Sequence, residues 1–229
     1  MRFPGDQNGI YLPSTLAIQR LGLALEPWAD IGMWARQQQL EALFLHRLWR
    51  LGPDVLPAGT GVLGYHLAFD SRLTFGFNPR LAAALGMAHP VPFAWQKQIP
   101  LGMFGDIAST TLAILVESLE RIFHVTPRVE YPRTKPLQRI AVVGALNAGL
   151  IYEAAEQHIQ AYVTGQWRET ARQAARDSAI SVITIGHRAG ELWGLRSLAD
   201  LLREHLPTLE VVLAPEIESP SSPAASIFT

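Results

Sequence analysis

The chain has 229 residues, of which 48% are hydrophobic and 17% are charged, and its formal net charge at pH 7 is -1. This composition is typical of a globular protein and argues against nucleic-acid or acidic-membrane partners, which need clustered Lys and Arg. The absence of cysteine excludes disulfides and zinc–thiolate sites, so any metal ion must be held by imidazole and carboxylate groups.

The N-terminal segment has no apolar core followed by a small-residue cleavage site, and no window approaches 18 consecutive apolar residues. We therefore expect no signal peptide, no membrane span and a cytoplasmic location.

The first half of the chain alternates between apolar runs and helical patterns after an expected loop at residues 5–14. Residues 21–25 and 42–45 predict strands, and residues 27–39 between them carry apolar side chains at helical spacing. Strand, helix and strand in this order predict a βαβ unit with a parallel sheet. A third strand is expected at 61–65, and a helix at 78–86.

The second half repeats the alternation after a Pro- and Gly-rich stretch, residues 88–105, which predicts a passage into a second domain. The tail from Pro215 is rich in Ser and Pro and predicts a poorly ordered end. The expected helices are 110–124, 150–159, 169–176 and 191–205, and the expected strands are 140–143, 161–164, 181–185 and 209–213.

The segment 181–195 predicts a strand, a tight turn and a helix. His187 and Glu191 are four positions apart at the start of this helix, so their side chains project from one face and could reach one divalent metal ion. The alternative is a surface His with a Glu favoured by the helix dipole.

A second turn, Gly144 to Gly149, also joins a strand to a helix. A Walker loop requires Lys and then Ser or Thr after the second Gly, where this chain has Leu150 and Ile151, and the Rossmann pattern requires Gly where it has Leu146. The sequence therefore favours a tight turn over nucleotide binding. A Ser/His/Asp triad is also disfavoured, because no G-x-S-x-G elbow is present.

Several His and acidic residues lie at or just beyond the carboxyl ends of predicted strands, where ligand sites gather in open α/β sheets. Their imidazole and carboxylate groups suit Zn, Mn, Fe or Co. The alternatives are hydrogen-bonded, partly buried imidazoles and, for Asp70, a cap. The set comprises His46, His66, Asp70, His187 and Glu191.

Four segments of the chain carry a resemblance to a known family: Asn8-Gly9, Leu43-Phe-Leu-His46, Gly64-Tyr-His-Leu-Ala-Phe-Asp70 and Ile185-Gly-His-Arg-Ala-Gly-Glu191. In order, spacing and strand context they resemble the Nif-three-like family, whose members are often labelled GTP cyclohydrolase 1 type 2 homologs. The resemblance runs from Asn8 nearly to Pro220.

The resemblance implies an α/β fold with two α/β domains, whose sheets are mixed or mostly parallel, assembled into a toroidal homohexamer. The first domain would comprise residues 1–100 with 187–229 and carry most of the metal ligands, and the second would comprise residues 101–186.

The resemblance also implies a cluster of one or two divalent ions (Zn, Fe, Mn or Co) per subunit. By matching position, the ligands would be His46, Asp70, His187 and Glu191, with Asp70 able to bridge two ions and His66 in the same pocket.

The function implied is a metal-dependent hydrolase acting on a nucleotide-like or phosphorylated small molecule, in which Glu191 and His66 handle the proton. The alternative is a non-enzymatic metal carrier or an oligomeric interaction scaffold.

One departure from the family bears on the metal site. The family's second histidine is Arg47 here, and a guanidinium cannot donate a lone pair to a metal ion, so we expect one metal position to be weakened or empty. Arg47 either contacts an anionic substrate group or turns outward. Gln166 and Thr170 also replace ionisable residues of the family.

Overall fold

The computed structural model describes residues 6, 8–49, 51, 52 and 54–215. The strands are β1 (Gly9–Leu12), β2 (Arg20–Ala24), β3 (Ala42–Leu45), β4 (Gly61–Gly64), β5 (Ala88–Gln96), β6 (Ile99–Thr110), β7 (Arg128–Glu130), β8 (Leu137–Val143), β9 (Ala161–Thr164), β10 (Ser181–Thr184) and β11 (Glu210–Leu213). The helices are α1 (Ile31–Gln37), α2 (Leu67–Leu73), α3 (Pro79–Ala84), α4 (Leu112–Phe123), α5 (Ala148–Glu156), α6 (Arg172–Asp177, after a 3-10 turn at Glu169–Ala171) and α7 (His187–His205).

The chain divides into two compact units, each with its own sheet. The large unit takes the described part of residues 1–6 and 66–197, and the small unit takes the described part of residues 7–65 and 198–229. Two α/β units with mixed sheets confirm the predicted fold class.

The small unit contains a five-stranded sheet in the order β1-β4-β3-β2-β11. Strands β2, β3, β4 and β11 are parallel, and β1 pairs antiparallel with β4. The parallel pairing of β2 and β3 across α1 confirms the predicted βαβ unit. Every residue of β3 is buried, as expected for a parallel strand covered on both faces.

The large unit contains a six-stranded sheet in the order β5-β6-β8-β9-β10-β7, in which β8, β9 and β10 are parallel. Alternate residues of these three strands pack into two apolar cores on opposite faces of the sheet. The sequence of each strand is therefore a continuous run of apolar residues. One core receives Val142, Val163 and Ile183, and the other receives Val143, Tyr162 and Val182.

The structure places a β-hairpin where the composition of residues 88–105 predicts a connection. Strands β5 and β6 pair antiparallel, and their connection contains Lys97 and Gln98 at φ values of +47° and +66°. Pro90 and Pro92 are compatible with a strand because β5 lies at the sheet edge, where an N–H can be absent. Pro100 is the second residue of β6 and precedes the residues of β6 that pair with β8, which begin at Gly102. The compact units also begin and end elsewhere than the predicted domains, 1–100 with 187–229 and 101–186.

Three short elements fall outside the sequence predictions: β1 lies in the expected loop, and α2 and β7 were not predicted. All but the first residue of the Ser- and Pro-rich tail lies outside the described residues. Among the helices described, none is long and apolar enough to cross a membrane.

The helix predicted at 78–86 forms as α3 because Asn78 caps it. The Asn78 Oδ1 atom accepts from the backbone N–H groups of Arg80 and Leu81, each at 3.2 Å, and its Nδ2 atom donates to the carbonyl of Thr74 at 3.1 Å. The residue is only 1% exposed. It therefore joins α3 to the segment after α2.

We expect Asn78→Ala to lower the free energy of unfolding by about 2–4 kcal/mol, because it removes a cap and leaves buried polar groups unpaired. Urea denaturation measures the change. The matched control is Asn147→Ala, which removes the exposed cap of α5, a bond of 3.0 Å to the Leu150 N–H, and should cost about 1 kcal/mol. Equal losses in the two variants would contradict the role of burial.

Candidate metal site

Two short helical turns of the large unit carry the same arrangement of an imidazole followed four positions later by a carboxylate. His66 precedes α2 and Asp70 lies in its first turn, whereas His187 begins α7 and Glu191 lies one turn further on. Gly186, at a φ of +102°, makes the turn from β10 into α7. Residues four apart on a helix share a face, so each pair directs its polar atoms to one side.

The structure brings three of the predicted ligands together. Asp70, His187 and Glu191 each offer a ligand atom, and these atoms lie within 4.8 Å of one another. The Nε2 atom of His187 is 3.0 Å from Oε1 of Glu191. Glu191 is only 2% exposed, whereas about half of the His187 side chain is accessible. A buried carboxylate is stabilised by a positive partner, and His187 lies at the distance at which it or a shared metal ion can serve as one.

The donor set fits a divalent metal ion. Two ligand atoms that each lie about 2.1 Å from a metal ion are separated by about 3.4 Å at a tetrahedral angle and by about 3.0 Å at an angle near 90°. The 3.0 Å between His187 Nε2 and Glu191 Oε1 therefore agrees with adjacent positions of an octahedral ion. One imidazole and two carboxylates suit Zn, Mn, Fe or Co. The same 3.0 Å distance suits an ion pair, which is the alternative arrangement in the absence of a metal.

His66 is oriented by a residue that the sequence reasoning missed. Its Nδ1 atom is 3.1 Å from Oδ1 of Asp6, and the other carboxylate oxygen of Asp6 accepts from the Leu67 N–H at 2.8 Å. Since an ionised carboxylate only accepts, Nδ1 carries the proton of this bond. The Nε2 atom of His66 lies 3.9 Å from Oδ2 of Asp70 and is the nitrogen that can bind a metal ion or take up a proton.

The remaining predicted ligand, His46, follows β3 in the small unit and is buried. Its Nδ1 atom is 3.0 Å from the carbonyl oxygen of Tyr65. A carbonyl can only accept, so Nδ1 carries the hydrogen and Nε2 carries the lone pair, the tautomer that a metal ligand requires. The assignment of His46 as a ligand stays a prediction. Arg47, next in sequence, places its guanidinium 5.3 Å from the centre of the Trp49 ring.

Helix α7 approaches α2 closely because glycines of α7 face two aromatic rings. A Cβ atom added at Gly190 would lie 2.6 Å from Cζ of Phe75, and one added at Gly194 would lie 2.8 Å from Cζ of Phe69. Both distances are shorter than a van der Waals contact. The glycines therefore permit the approach that places Asp70 beside Glu191.

Two cavities of the large unit adjoin these ligands. The strand-end cavity, about 720 Å³, follows β8, β9 and β10. The hairpin cavity, about 630 Å³, lies beside the β5–β6 turn. The strand-end cavity is lined by residues 144–146, Gly165, Gln166, Arg168 and His187. The hairpin cavity includes Asp70, Phe75, Lys97, Ile99, Leu101 and His187.

The sequence reasoning also missed Lys97 and Arg168. Arg168 follows β9 and could have been found by the rule that selected the histidines, namely polar residues beyond strand ends. Lys97 gave no such signal, because its hairpin was taken for a connection.

Comparison with known proteins finds a matching family model and similar proteins that share one name. The model of the Duf34/NIF3 (NGG1p interacting factor 3) family matches residues 52–220. Two relatives carry the name GTP cyclohydrolase 1 type 2 homolog. The protein from Neisseria meningitidis is 27% identical over 188 residues, covering 75% of this chain and 74% of the relative. The protein from Pyrococcus abyssi is 28% identical over 223 residues, covering 87% of this chain and 85% of the relative.

Solved structures share the fold. Reduced HcgD from Methanocaldococcus jannaschii superposes with a TM-score of 0.70 at 20% identity, covering 93% of this chain and 91% of that one. A Bacillus cereus protein related to NIF3 superposes with a TM-score of 0.66 at 13% identity, covering 93% of this chain and 92% of that one. At these identities the likeness concerns the fold alone.

We expect Gly190→Ala to destabilise the protein by about 1–3 kcal/mol and to weaken metal binding, although residue 190 is not a ligand, because the added methyl group overlaps the Phe75 ring. Elsewhere in a helix the same change stabilises by about 0.5–1 kcal/mol. Urea denaturation of Gly190→Ala, Phe75→Leu and the double variant measures the coupling. The double variant should lose at least about 1 kcal/mol less than the sum of the single losses. Additive losses would contradict the overlap.

Proposed function

The chain belongs to the Duf34/NIF3 family, and we propose that it is a metal-dependent hydrolase of a nucleotide-like or phosphorylated small molecule. The observation that carries this proposal is the convergence of Asp70, His187 and Glu191, whose ligand atoms lie within 4.8 Å of one another. Two helix starts that are distant in the sequence supply these residues, and their side chains form the donor set that divalent ions prefer.

These three residues would hold a divalent ion, which would supply Lewis acidity and lower the pKa of a bound water to about 7. The protein's contribution is to fix the donors. Glu191 is buried against His187, and Asp70 is held in the first turn of α2, where the helix dipole favours its negative charge. His46 is the fourth proposed ligand, on the strength of its position in the resemblance and of its tautomer.

His66 and Glu191 are the proposed proton carriers. The bond from His66 Nδ1 to Asp6 fixes the ring and leaves Nε2 to accept or return a proton on the side of Asp70. A positioned imidazole of this kind contributes typically about 10²–10⁴-fold to hydrolysis. Glu191 offers a second acceptor because its carboxylate has two oxygens, only one of which is needed to hold a cation.

The substrate class and the assembly are also proposals. The relatives' name, GTP cyclohydrolase 1 type 2 homolog, supports a nucleotide-like substrate. Assembly into a homohexamer is proposed from the family resemblance.

The second candidate function is a metal carrier without catalytic activity. It is favoured by Arg47, which replaces a family histidine and directs its guanidinium at Trp49. Purified metal-loaded protein should be screened against nucleotides and phosphoesters. Turnover that is lost in Glu191→Gln supports the hydrolase, whereas reversible metal exchange without turnover supports the carrier.

Replacement of Asp70 or Glu191 by Ala should reduce the bound metal to background and abolish any hydrolysis, because each change removes a carboxylate ligand. Elemental analysis of the purified variants measures the metal content. The matched control is Asp200→Ala, which removes an exposed carboxylate of α7 that pairs with Arg203 at 3.2 Å. It should keep the metal content of the parent protein. Full occupancy in either ligand variant would overturn the assignment.

The parent protein should bind one ion per chain, and Arg47→His should raise this number toward two by restoring an imidazole at the second position. Arg47→Ala is the control, since it removes the guanidinium without adding a ligand, and should leave the count at one. Two ions in the parent protein would show that Arg47 does not weaken the site.

A further inference from the structure

We propose that the strand-end cavity binds the phosphoryl group of the substrate through Arg168, and that the hairpin cavity, with Lys97 as a second cation, holds the apolar or aromatic remainder. This assignment rests on the proposed function, since it identifies what the metal site acts on. It concerns residues that are not metal ligands.

The position of the strand-end cavity supports an anion site. Its walls come from the segments that follow three adjacent parallel strands, β8, β9 and β10, and ligands of open α/β sheets bind beyond such strand ends. His187 lines the cavity, so a group bound there lies against a proposed metal ligand. Among the described residues that line this cavity, Arg168 alone is permanently charged.

A hydrogen bond from a buried side chain holds one wall of the strand-end cavity in place. The buried hydroxyl group of Tyr162 donates to the carbonyl oxygen of Ala145 at 2.7 Å. Burial, and secondarily the charge of Glu153, raises the pKa of Tyr162 well above its usual range, so the hydroxyl keeps its hydrogen. The turn that faces Arg168 is therefore preorganised, which lowers the entropy cost of binding.

The part of the chain that the structure describes does not neutralise the charges of Arg168 and Lys97. Among the residues that the structure describes, neither side chain makes a hydrogen bond or an ion pair. Three other arginines of the large unit are paired: Arg128 with Glu130, Arg139 with Asp106, and Arg172 with Glu169. Glu169, the neighbour of Arg168, accepts from Arg172 at 2.9 Å and from the Trp167 indole at 3.2 Å, and these bonds lower its pKa. Cations that line cavities and lack a carboxylate partner are available to an anionic ligand.

The two cavities share Gly144, Ala145 and His187 in their walls, so they are adjacent. The hairpin cavity is lined in part by Phe75, Ile99 and Leu101, and these apolar side chains favour a ring or another apolar group over a bare ion. Inorganic phosphate would fill only the strand-end cavity. A phosphate monoester of an aromatic group would fill both, with its ester bond near Asp70 and His187.

Calorimetric titration with inorganic phosphate, phenyl phosphate and benzoate tests the assignment on the metal-loaded protein and again after chelation. Phenyl phosphate should bind more tightly than phosphate, and benzoate should bind most weakly. Arg168→Gln should weaken phenyl phosphate binding by about tenfold or more, as expected for loss of a charge-assisted hydrogen bond, and Lys97→Gln should weaken it less. Arg172→Gln is the matched control and should stay within about twofold of the parent, since that arginine is already paired.

Metal content separates the two proposals. Arg168→Gln should keep the metal content of the parent while it loses phenyl phosphate affinity. If the parent binds no metal but Arg168→Gln still reduces anion binding, the proposed hydrolase fails and the anion site stands. If Arg168→Gln binds phenyl phosphate as the parent does in both states, or if benzoate binds as tightly as phenyl phosphate, the anion site is overturned.

Discussion

The close contact between helix α7 and the segment around α2 is the constraint on which the candidate site depends. It exists because glycines at positions 190 and 194 leave room for the rings of Phe75 and Phe69. A side chain at either position would overlap a ring or require a shift of the neighbouring segment, which carries Asp70. Close packing therefore contributes to the position of the candidate metal ligands, since protein interiors accommodate an extra methyl group only by displacement.

The same contact explains why the candidate metal ligands lie next to the cavities proposed to bind the substrate. His187 begins α7 directly beyond β10 and lines both cavities, so the helix that supplies two donors also forms a wall of the binding space. The parallel strands β8, β9 and β10 are buried on both faces and form a rigid platform, and their following segments carry the polar groups. Rigid strands with variable segments beyond them are the common arrangement of α/β binding sites.

The alternation of strands and helices could be predicted from the sequence because both sheets have parallel central strands. Such strands appear as continuous apolar runs, whereas the helices between them carry apolar residues at a spacing of three to four. It also predicted that His187 and Glu191 share a helix face. It could not predict the role of Asp6, because a His and an acidic residue 60 positions apart give no periodic signal. It missed the β5–β6 hairpin because Pro and Gly are counted as breakers and because Lys97 and Gln98, which make its two-residue turn at positive φ, are not the Asn, Asp or Gly residues that usually mark such a turn.

The prolines of β5 have a further consequence. This strand forms one edge of the six-stranded sheet, and an edge strand with a full set of N–H groups is a template on which another chain can add a strand. Pro90 and Pro92 remove two of those donors, so a foreign strand cannot complete a hydrogen-bond ladder along β5. The composition that resembles a linker thus works against edge-to-edge aggregation along β5.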